Sequence, residues 1–184
     1  HSATVNFASF SPDGKLIVST NTDHTLKFWD TQTKIETHIA NIEENRIQFA
    51  TFSANGKSLI TIEESQINLL DIQSGKSQKS FSNTTFHRGS NSYYPMTVSF
   101  SPEGNTLIST SGDRNIKIWD VHTGDEIKTL NGHPSNITSA FFSPDGNTIL
   151  STSNDGTIKL WLAQTGQELV VLSGNTDCYQ PAEK

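Results

Sequence analysis

The chain repeats one five-residue segment four times, and this repeat constrains its fold more than any other feature. Each copy begins with Phe-Ser, continues with a short polar or proline-containing pair and ends in glycine. The four closing glycines are Gly14, Gly56, Gly104 and Gly146, at intervals of 42, 48 and 42 residues. Most of the chain therefore consists of four similar units, the third of which contains a six-residue insertion.

Each unit contains four short segments with strand character, separated by turn residues. In the last unit, residues 137–142 and 148–153 are rich in β-formers, and residues 158–161 alternate apolar and polar side chains. Ser-Pro-Asp-Gly and Asn-Asp-Gly between them suit tight turns. A period of about 40 to 45 residues is typical of a four-stranded propeller blade. The sequence therefore predicts an all-β fold of four propeller blades, each with four antiparallel strands, in a ring that is incomplete.

Several further motifs recur in phase with this repeat. Residues 113–120 read Asp-Arg-Asn-Ile-Lys-Ile-Trp-Asp, residues 23–30 and 155–161 follow the same pattern, and Gly132-His133 precedes the last unit. Together they resemble the WD-repeat β-propeller family over residues 1–174. The resemblance implies blades at about 1–42, 43–88, 89–132 and 133–174, followed by a tail at 175–184.

WD blades contain a hydrogen-bonded tetrad of His, Ser or Thr, Asp and Trp, and the resemblance places its members in this chain. In unit two, Thr61 takes the serine position and Leu70 replaces the tryptophan, so this blade is expected to have a weaker polar centre. The expected members elsewhere are His1, Ser19, Asp23 and Trp29 in unit one, Ser109, Asp113 and Trp119 in unit three, and His133, Ser151, Asp155 and Trp161 in unit four.

A His-Ser-Asp set could also be a catalytic triad, which needs an exposed serine beside its histidine. Here the set recurs at repeat spacing beside a tryptophan, in positions expected to be buried, and this favours a structural role. The sequence has no P-loop, nucleotide-binding glycine motif or zinc-protease motif, and its six histidines show no paired metal-ligand spacing. We therefore expect no enzymatic activity, no metal and no cofactor.

Charge and composition narrow the class of partner. The net charge is −6, which disfavours nucleic acid and anionic membrane surfaces as partners. No apolar run is long enough to form a membrane-spanning helix, and no signal peptide is visible. The single cysteine, Cys178, fits a reducing compartment. These features predict a cytoplasmic protein, and the family resemblance implies that its partners are other proteins or peptides.

The family resemblance implies that partners contact the rim formed by the loops between blades and the turns between second and third strands. The insertion in unit three falls within residues 82–95 and combines aromatic residues with arginine, a composition typical of interface hot spots. A tolerated surface insertion is the equal alternative. The expected partner-binding residues are Arg46, Gln48, Arg88, Tyr93, Tyr94, Met96, Asn136 and Asn154.

Propellers protect their edge strands by closing a ring, and the family resemblance implies a ring of seven blades. Four such blades are therefore expected to be a fragment of a larger propeller, with two open ends. Since His1 occupies a histidine position, we expect further blades upstream of it, with self-association as the less favoured means of closure. The leading function is a non-catalytic protein-interaction scaffold. The alternative is a recognition or sensor domain of a larger regulatory enzyme whose ATPase, kinase or protease domain lies outside this chain. Small-molecule or glycan binding in a central channel is a third possibility.

Overall fold

The computed structural model describes residues 4–22, 25–37, 47–63, 66–82, 97–110 and 114–173. In these ranges every regular element is a β-strand, and the strands form four antiparallel four-stranded sheets arranged as propeller blades. The all-β, four-blade prediction is therefore confirmed. In each blade the strands pair in chain order, so that the first and fourth strands are the two edges.

The strand bounds are closely similar from blade to blade. Blade 1 contains β1 (Val5–Phe10), β2 (Leu16–Asn21), β3 (Leu26–Asp30) and β4 (Glu36–Thr37). Blade 2 contains β5 (Ile47–Phe52), β6 (Ser58–Glu63), β7 (Gln66–Asp71) and β8 (Ser77–Ser82). Blade 3 contains β9 (Val98–Phe100), β10 (Thr106–Thr110), β11 (Asn115–Asp120) and β12 (Glu126–Asn131). Blade 4 contains β13 (Ile137–Phe142), β14 (Thr148–Ser153), β15 (Thr157–Leu162) and β16 (Glu168–Ser173).

The repeated Phe-Ser-Pro-Asp-Gly segment forms the turn between the first two strands of a blade. In blade 4 the Gly146 N–H donates to the Ser143 carbonyl at 2.9 Å, and Gly146 has a φ of 71°, in the region that favours glycine. The Ser143 hydroxyl donates to the Asp145 carboxylate at 2.5 Å, and the Asn147 N–H donates to it at 3.1 Å. These hydrogen bonds lower the pKa of Asp145 to about 2. The repeated sequence is thus explained by a turn in which the Ser143 and Asp145 side chains form hydrogen bonds that hold the turn backbone in place.

Among the described residues the hydrophobic core forms three clusters, each between two neighbouring blades. The side chains in these clusters are almost completely buried, and burying each one contributes roughly 1.5–3 kcal/mol. Within the described ranges none of the clusters joins blade 1 to blade 4. The main members are Val18, Phe28, Ile47, Leu59 and Leu70 between blades 1 and 2, Ile60, Leu69, Phe81, Leu107 and Trp119 between blades 2 and 3, and Ile108, Ile118, Leu130, Ile149 and Trp161 between blades 3 and 4.

Candidate functional site

Blade 4 contains a continuous chain of four hydrogen-bonded side chains. The Trp161 indole N–H donates to Ser151 Oγ at 2.8 Å, and Ser151 Oγ lies 2.8 Å from His133 Nε2. On the other side of the imidazole, His133 Nδ1 lies 2.9 Å from Asp155 Oδ2. The structure therefore brings together all four residues that the sequence assigned to this tetrad.

The chemistry of the four groups fixes the direction of their hydrogen bonds. An ionised carboxylate can only accept, so the proton between His133 and Asp155 belongs to Nδ1. In the neutral imidazole, Nε2 then accepts from the Ser151 hydroxyl, whose oxygen is left to accept from Trp161. Every polar atom along this chain has a partner, which is what burial of such groups requires.

Asp155 is held in its charged form. Burial alone would raise the pKa of its carboxyl, but hydrogen bonds from the Thr157 side chain, the His133 ring, the Thr157 backbone and Ser153 outweigh burial and hold that pKa well below its usual range. Thr157 Oγ1 donates to Asp155 Oδ1 at 2.5 Å, and the Thr157 N–H donates to the same oxygen at 2.8 Å. One carboxylate oxygen thus fixes the β14–β15 turn, while the other orients the histidine.

Gly132, which precedes the tetrad histidine, is required by packing against the tryptophan. A methyl group added at Gly132 would lie 2.8 Å from Cη2 of Trp161, too close for carbon atoms. The Gly132 carbonyl also accepts a hydrogen bond from Lys159 Nζ at 2.7 Å. The Gly-His pair therefore belongs to the same packing unit as the Trp161 ring.

The distances among His133, Ser151 and Asp155 would also satisfy a catalytic triad, so burial decides between the two interpretations. Ser151 is fully buried, and its oxygen already contacts both the imidazole and the Trp161 indole N–H. A nucleophile must reach a substrate carbonyl beside oxyanion donors, and this hydroxyl has no path to one. The burial of Ser151 and His133 favours a role for the arrangement in stabilising the blade.

Blades 1 and 3 contain the tryptophan–serine part of the same arrangement. Trp29 Nε1 donates to Ser19 Oγ, and Trp119 Nε1 donates to Ser109 Oγ, each at 2.8 Å. The remaining residues assigned to these two tetrads lie outside the described residues, namely His1, Asp23 and Asp113.

Blade 2 replaces the polar centre with apolar packing. Leu70 is buried at the tryptophan position, where it packs with residues of blades 1 and 2. Thr61, at the serine position, is also buried, and its Oγ1 has no hydrogen-bond partner among the described residues. The hydroxyl at this position thus lacks the indole donor that its equivalents have in the other blades.

A second repeated arrangement was not anticipated from the sequence. A lysine two residues before the tryptophan lies over its ring, with Nζ 5.5 to 5.9 Å from the ring centroid, and forms an ion pair with a glutamate nine residues further on. The Nζ–Oε2 distances are 2.7 to 2.8 Å. The spacing is visible in three units and could have revealed the arrangement, whose members are Lys27, Trp29 and Glu36, Lys117, Trp119 and Glu126, and Lys159, Trp161 and Glu168.

The described part of the predicted partner rim contains Asn136 and Asn154. The Asn154 N–H donates to the Asn136 carbonyl at 2.9 Å, and the Asn154 side chain is exposed while that of Asn136 is half-buried. Thr22 and Thr4 form the same backbone bond at 2.9 Å in blade 1. Of the other predicted rim residues, Arg46, Arg88, Tyr93, Tyr94, Met96 and the side chain of Gln48 lie outside the described residues.

The opposite ends of the strands form a separate surface. Between the turns of blades 2 and 3 lies a groove of about 330 Å³, lined by side chains that include Asn55, Lys79, Glu103 and His122. Because the strands are antiparallel, this groove and the Ser143–Gly146 turn lie at the end of the blades away from Asn136 and Asn154. The two rims can therefore be tested independently.

Neither a metal cluster nor a membrane-spanning helix is found in the described ranges. No group of three or more His, Cys, Asp or Glu side chains there could hold a metal ion. No helix in the same ranges is long and apolar enough to cross a membrane.

Comparison with known proteins agrees with this architecture. The WD domain, G-beta repeat family matches residues 1–30, 80–120 and 124–161, which together are more than half of the chain. The chain therefore belongs to the WD-repeat family, whose propellers generally are non-catalytic scaffolds and typically bind other proteins.

Among individual proteins, the chain is 31% identical over 146 residues to the nuclear distribution protein PAC1 of Arthroderma otae, covering 77% of this chain and 32% of that protein. It is 31% identical over 124 residues to the small ribosomal subunit protein RACK1 of Schizosaccharomyces pombe, covering 66% and 39%. It is 27% identical over 140 residues to human WD repeat-containing protein 36, covering 75% and 15%. The chain thus spans well under half the length of these relatives.

Proposed function

We propose that the chain is a non-catalytic scaffold that binds other proteins or peptides through the rim containing Asn136 and Asn154. The observation that carries this proposal is the division of roles within blade 4. The His133 and Ser151 side chains are buried and hydrogen-bonded to each other. The polar side chains of the rim, by contrast, lie at the ends of well-packed strands. A rigid framework that positions exposed loop residues is suited to binding a partner rather than to catalysis.

The geometry of this rim supports specific contacts. Asn154 lies in the β14–β15 turn, and its backbone bond to Asn136 ties that turn to the segment preceding β13. Both amide side chains can donate and accept hydrogen bonds, so they can pair with peptide backbone or polar side chains. We infer that Arg46, Gln48 and Met96 contribute to the same rim, as their equivalent positions in the repeat imply.

The insertion in the third repeat is proposed as the source of binding energy. Its Arg88, Tyr93 and Tyr94 are of the residue types that dominate the energetics of protein interfaces. The net charge of −6 makes nucleic acid a poor ligand for the whole surface, and the same charge opposes binding to anionic membranes. The single cysteine fits a scaffold that works in the reducing cytoplasm.

Site-specific photo-crosslinking tests this proposal. A photoreactive amino acid is placed at Asn154 on the proposed rim or, as the matched control, at the exposed Asn147 on the opposite rim, and crosslinked proteins are identified by mass spectrometry in extract of the cells that express the protein. We expect reproducible protein crosslinks from position 154 in excess of those from position 147. Equal crosslinking from the two positions, or crosslinking to nucleic acid alone, would contradict the proposal.

A further inference from the structure

Arg114 has a backbone conformation that is unusual for its residue type. It immediately precedes β11 and has a φ of 66°, in the left-handed region that favours glycine. The equivalent position of blade 4 is occupied by Gly156, with a φ of 80°. An arginine at this position therefore carries backbone strain that a glycine would avoid, and strain of this kind is concentrated at sites that bind a ligand.

The Arg114 guanidinium is oriented by a hydrogen bond across the boundary between blades 3 and 4. Its Nη1 donates to the Pro134 carbonyl at 3.0 Å, and both residues are exposed. A guanidinium carries several N–H donors in a planar fork, of which the described residues occupy one. None of the carboxylates in the described ranges forms an ion pair with Arg114. The other donors are therefore available to a ligand.

The same hydrogen bond places the guanidinium near the two asparagines of the proposed rim. Pro134 precedes Asn136 by two residues, which span at most about 7 Å of chain. The Asn136 carbonyl accepts from the Asn154 N–H at 2.9 Å, and the exposed Asn154 amide adds further donors and an acceptor. The cation and the amides thus belong to one small surface, which blades 3 and 4 form between them.

Arginine and lysine are distributed differently along the strands. The chain has three arginines, and the other two, Arg46 and Arg88, belong to the β4–β5 and β8–β9 connections, outside the described residues. Arginine forms paired hydrogen bonds with a carboxylate, whereas lysine acts as a point charge. The rim that contains Arg114 is therefore the one suited to an acidic ligand. The turns at the opposite ends of the strands contain lysine instead, namely Lys15, Lys34, Lys57 and Lys76.

We propose that Arg114, together with Asn136 and Asn154, binds the carboxylate of an acidic peptide segment in a partner protein. Two N–H groups of the guanidinium donate to the carboxylate, and the Asn154 amide pairs with the neighbouring peptide backbone. This inference rests on the proposed scaffold function, since it names the class of partner bound at the same rim. The net charge of −6 repels an acidic segment from the rest of the surface, so binding is restricted to the place where a cation is presented.

Titration of the isotope-labelled chain, followed by NMR, tests the proposal. The probe is a hexaglutamate peptide with blocked ends, and a hexaglutamine peptide with the same ends is its uncharged control. We expect hexaglutamate, and not hexaglutamine, to shift the signals of the Arg114 Nε–H and the Asn154 side-chain amide. The signal of the exposed Asn147 amide, on the opposite rim, is expected to stay in place.

Two variants separate binding by Arg114 from a purely structural role. Arg114→Gly removes the guanidinium and suits the left-handed backbone, as Gly156 does in blade 4, so it is expected to fold, which circular dichroism checks. It should weaken hexaglutamate binding about tenfold or more, through loss of a paired, charge-assisted contact. Lys15→Gln is the matched control, because it removes the same charge from a side chain that is 80% exposed on the opposite rim, and it should leave binding unchanged.

Three results would overturn the proposal. The first is the absence of a shift at both Arg114 and Asn154 on addition of hexaglutamate, and the second is an equal loss of binding in the two variants. The third is a uridine hexanucleotide that shifts the same signals at a lower concentration than hexaglutamate, which would assign this surface to nucleic acid. Crosslinking from position 154 to proteins does not depend on these results, so the acidic preference and the scaffold function can fail separately.

Discussion

At the residue scale, the four blades show how one polar position depends on its neighbours. Ser151 is buried between two hydrogen-bond partners, His133 and Trp161. Ser19 and Ser109 each accept a hydrogen bond from an indole, and Thr61 has a buried hydroxyl without a partner among the described residues. The backbone position is the same in each blade, so the lack of an indole donor beside Thr61 arises from one exchange, Leu70 in place of tryptophan.

Substitution of these hydroxyls is predicted to have opposite effects. Ser151→Ala leaves the Trp161 N–H and His133 Nε2 without a partner and should lower the free energy of unfolding by about 3 kcal/mol. Thr61→Val removes an unsatisfied hydroxyl and should raise it by about 1 kcal/mol. Urea unfolding of the two variants measures both values. Equal destabilisation by the two substitutions would contradict the assignment of their hydrogen bonds.

The carboxylate of Asp155 predicts a pH dependence of stability. Its pKa is lower in the folded chain than in the unfolded chain, where it is about 3.9, so its charge stabilises the fold above roughly pH 4. That contribution is lost as the pH falls from about 4 toward the folded pKa. Asp155→Asn should therefore destabilise the chain by about 1–3 kcal/mol at pH 7, through loss of a charge-assisted hydrogen bond.

The gap between wild type and Asp155→Asn should shrink below pH 4, since Asp155 of the unfolded wild-type chain then takes up a proton while the folded chain keeps it ionised, and this favours unfolding. Urea midpoints of both proteins at pH 7, 4 and 3 measure this gap. Asp13 and Asp145 also have lowered pKa values, but they are present in both proteins and cancel in the comparison. A gap that is constant across this range would rule out a charged Asp155 as the source of the effect.

At the element scale, the third and fourth strands of blades 1, 3 and 4 are linked by the arrangement of lysine, tryptophan and glutamate described above. Lys159 on β15 reaches Glu168 on β16 at 2.7 Å, lies over the Trp161 ring and donates to the Gly132 carbonyl that follows β12. Blade 2 has Asn68 at the lysine position, where its side chain accepts a hydrogen bond from Ser80 at 2.7 Å. Apolar packing of β6 and β7 on both faces takes the place of the polar links there.

Lys159→Ala is predicted to destabilise the chain by about 1–3 kcal/mol, because it removes a packed alkyl stem, a contact between a cation and an aromatic ring, and two charge-assisted hydrogen bonds. Lys15→Ala is the matched control, since the Lys15 side chain is 80% exposed and its nearest carboxylate oxygen on Asp13 is 3.9 Å away. Such an exposed pair should change stability by less than about 0.5 kcal/mol. Thermal or urea unfolding that gave the same loss for both would contradict the structural role of Lys159.

Sequence reasoning predicted those elements whose residues recur in phase. The four copies of Phe-Ser-x-x-Gly located the β1–β2 turn and its equivalents, and the tetrad of blade 4 followed from the family resemblance and the motif spacing. The Lys159–Glu168 link was missed, although its spacing recurs, because charged residues on adjacent strands are ordinarily solvated and the Trp161 ring between them is visible only in three dimensions. The sequence also did not show that Leu70 leaves the Thr61 hydroxyl without an indole donor. Whether a hydroxyl lacks a hydrogen-bond partner depends on its burial, which is visible only in the folded chain.

At the scale of the whole molecule, the proposed binding rim is separated from the residues that stabilise the blades. The polar tetrads and apolar clusters lie within and between blades, whereas Asn136 and Asn154 lie at one end of the strands and the Ser143–Gly146 turn at the other. Substitutions of the exposed Asn154 and Asn147 side chains should therefore leave the fold intact. If the proposed insertion loop carries hot spots, the loss of binding should be confined to one rim.

The most direct test of the scaffold account is the affinity of a protein identified by crosslinking, measured by calorimetry with rim variants. A variant combining Arg88→Ala, Tyr93→Ala, Tyr94→Ala and Asn154→Ala should bind at least fivefold more weakly, since even one hot-spot side chain among them contributes roughly 1 kcal/mol or more. The opposite-rim variant Asn147→Ala should bind as the wild type does, with both variants unfolding at the wild-type midpoint. Unchanged affinity in the first variant, or a loss confined to the second, would contradict the account.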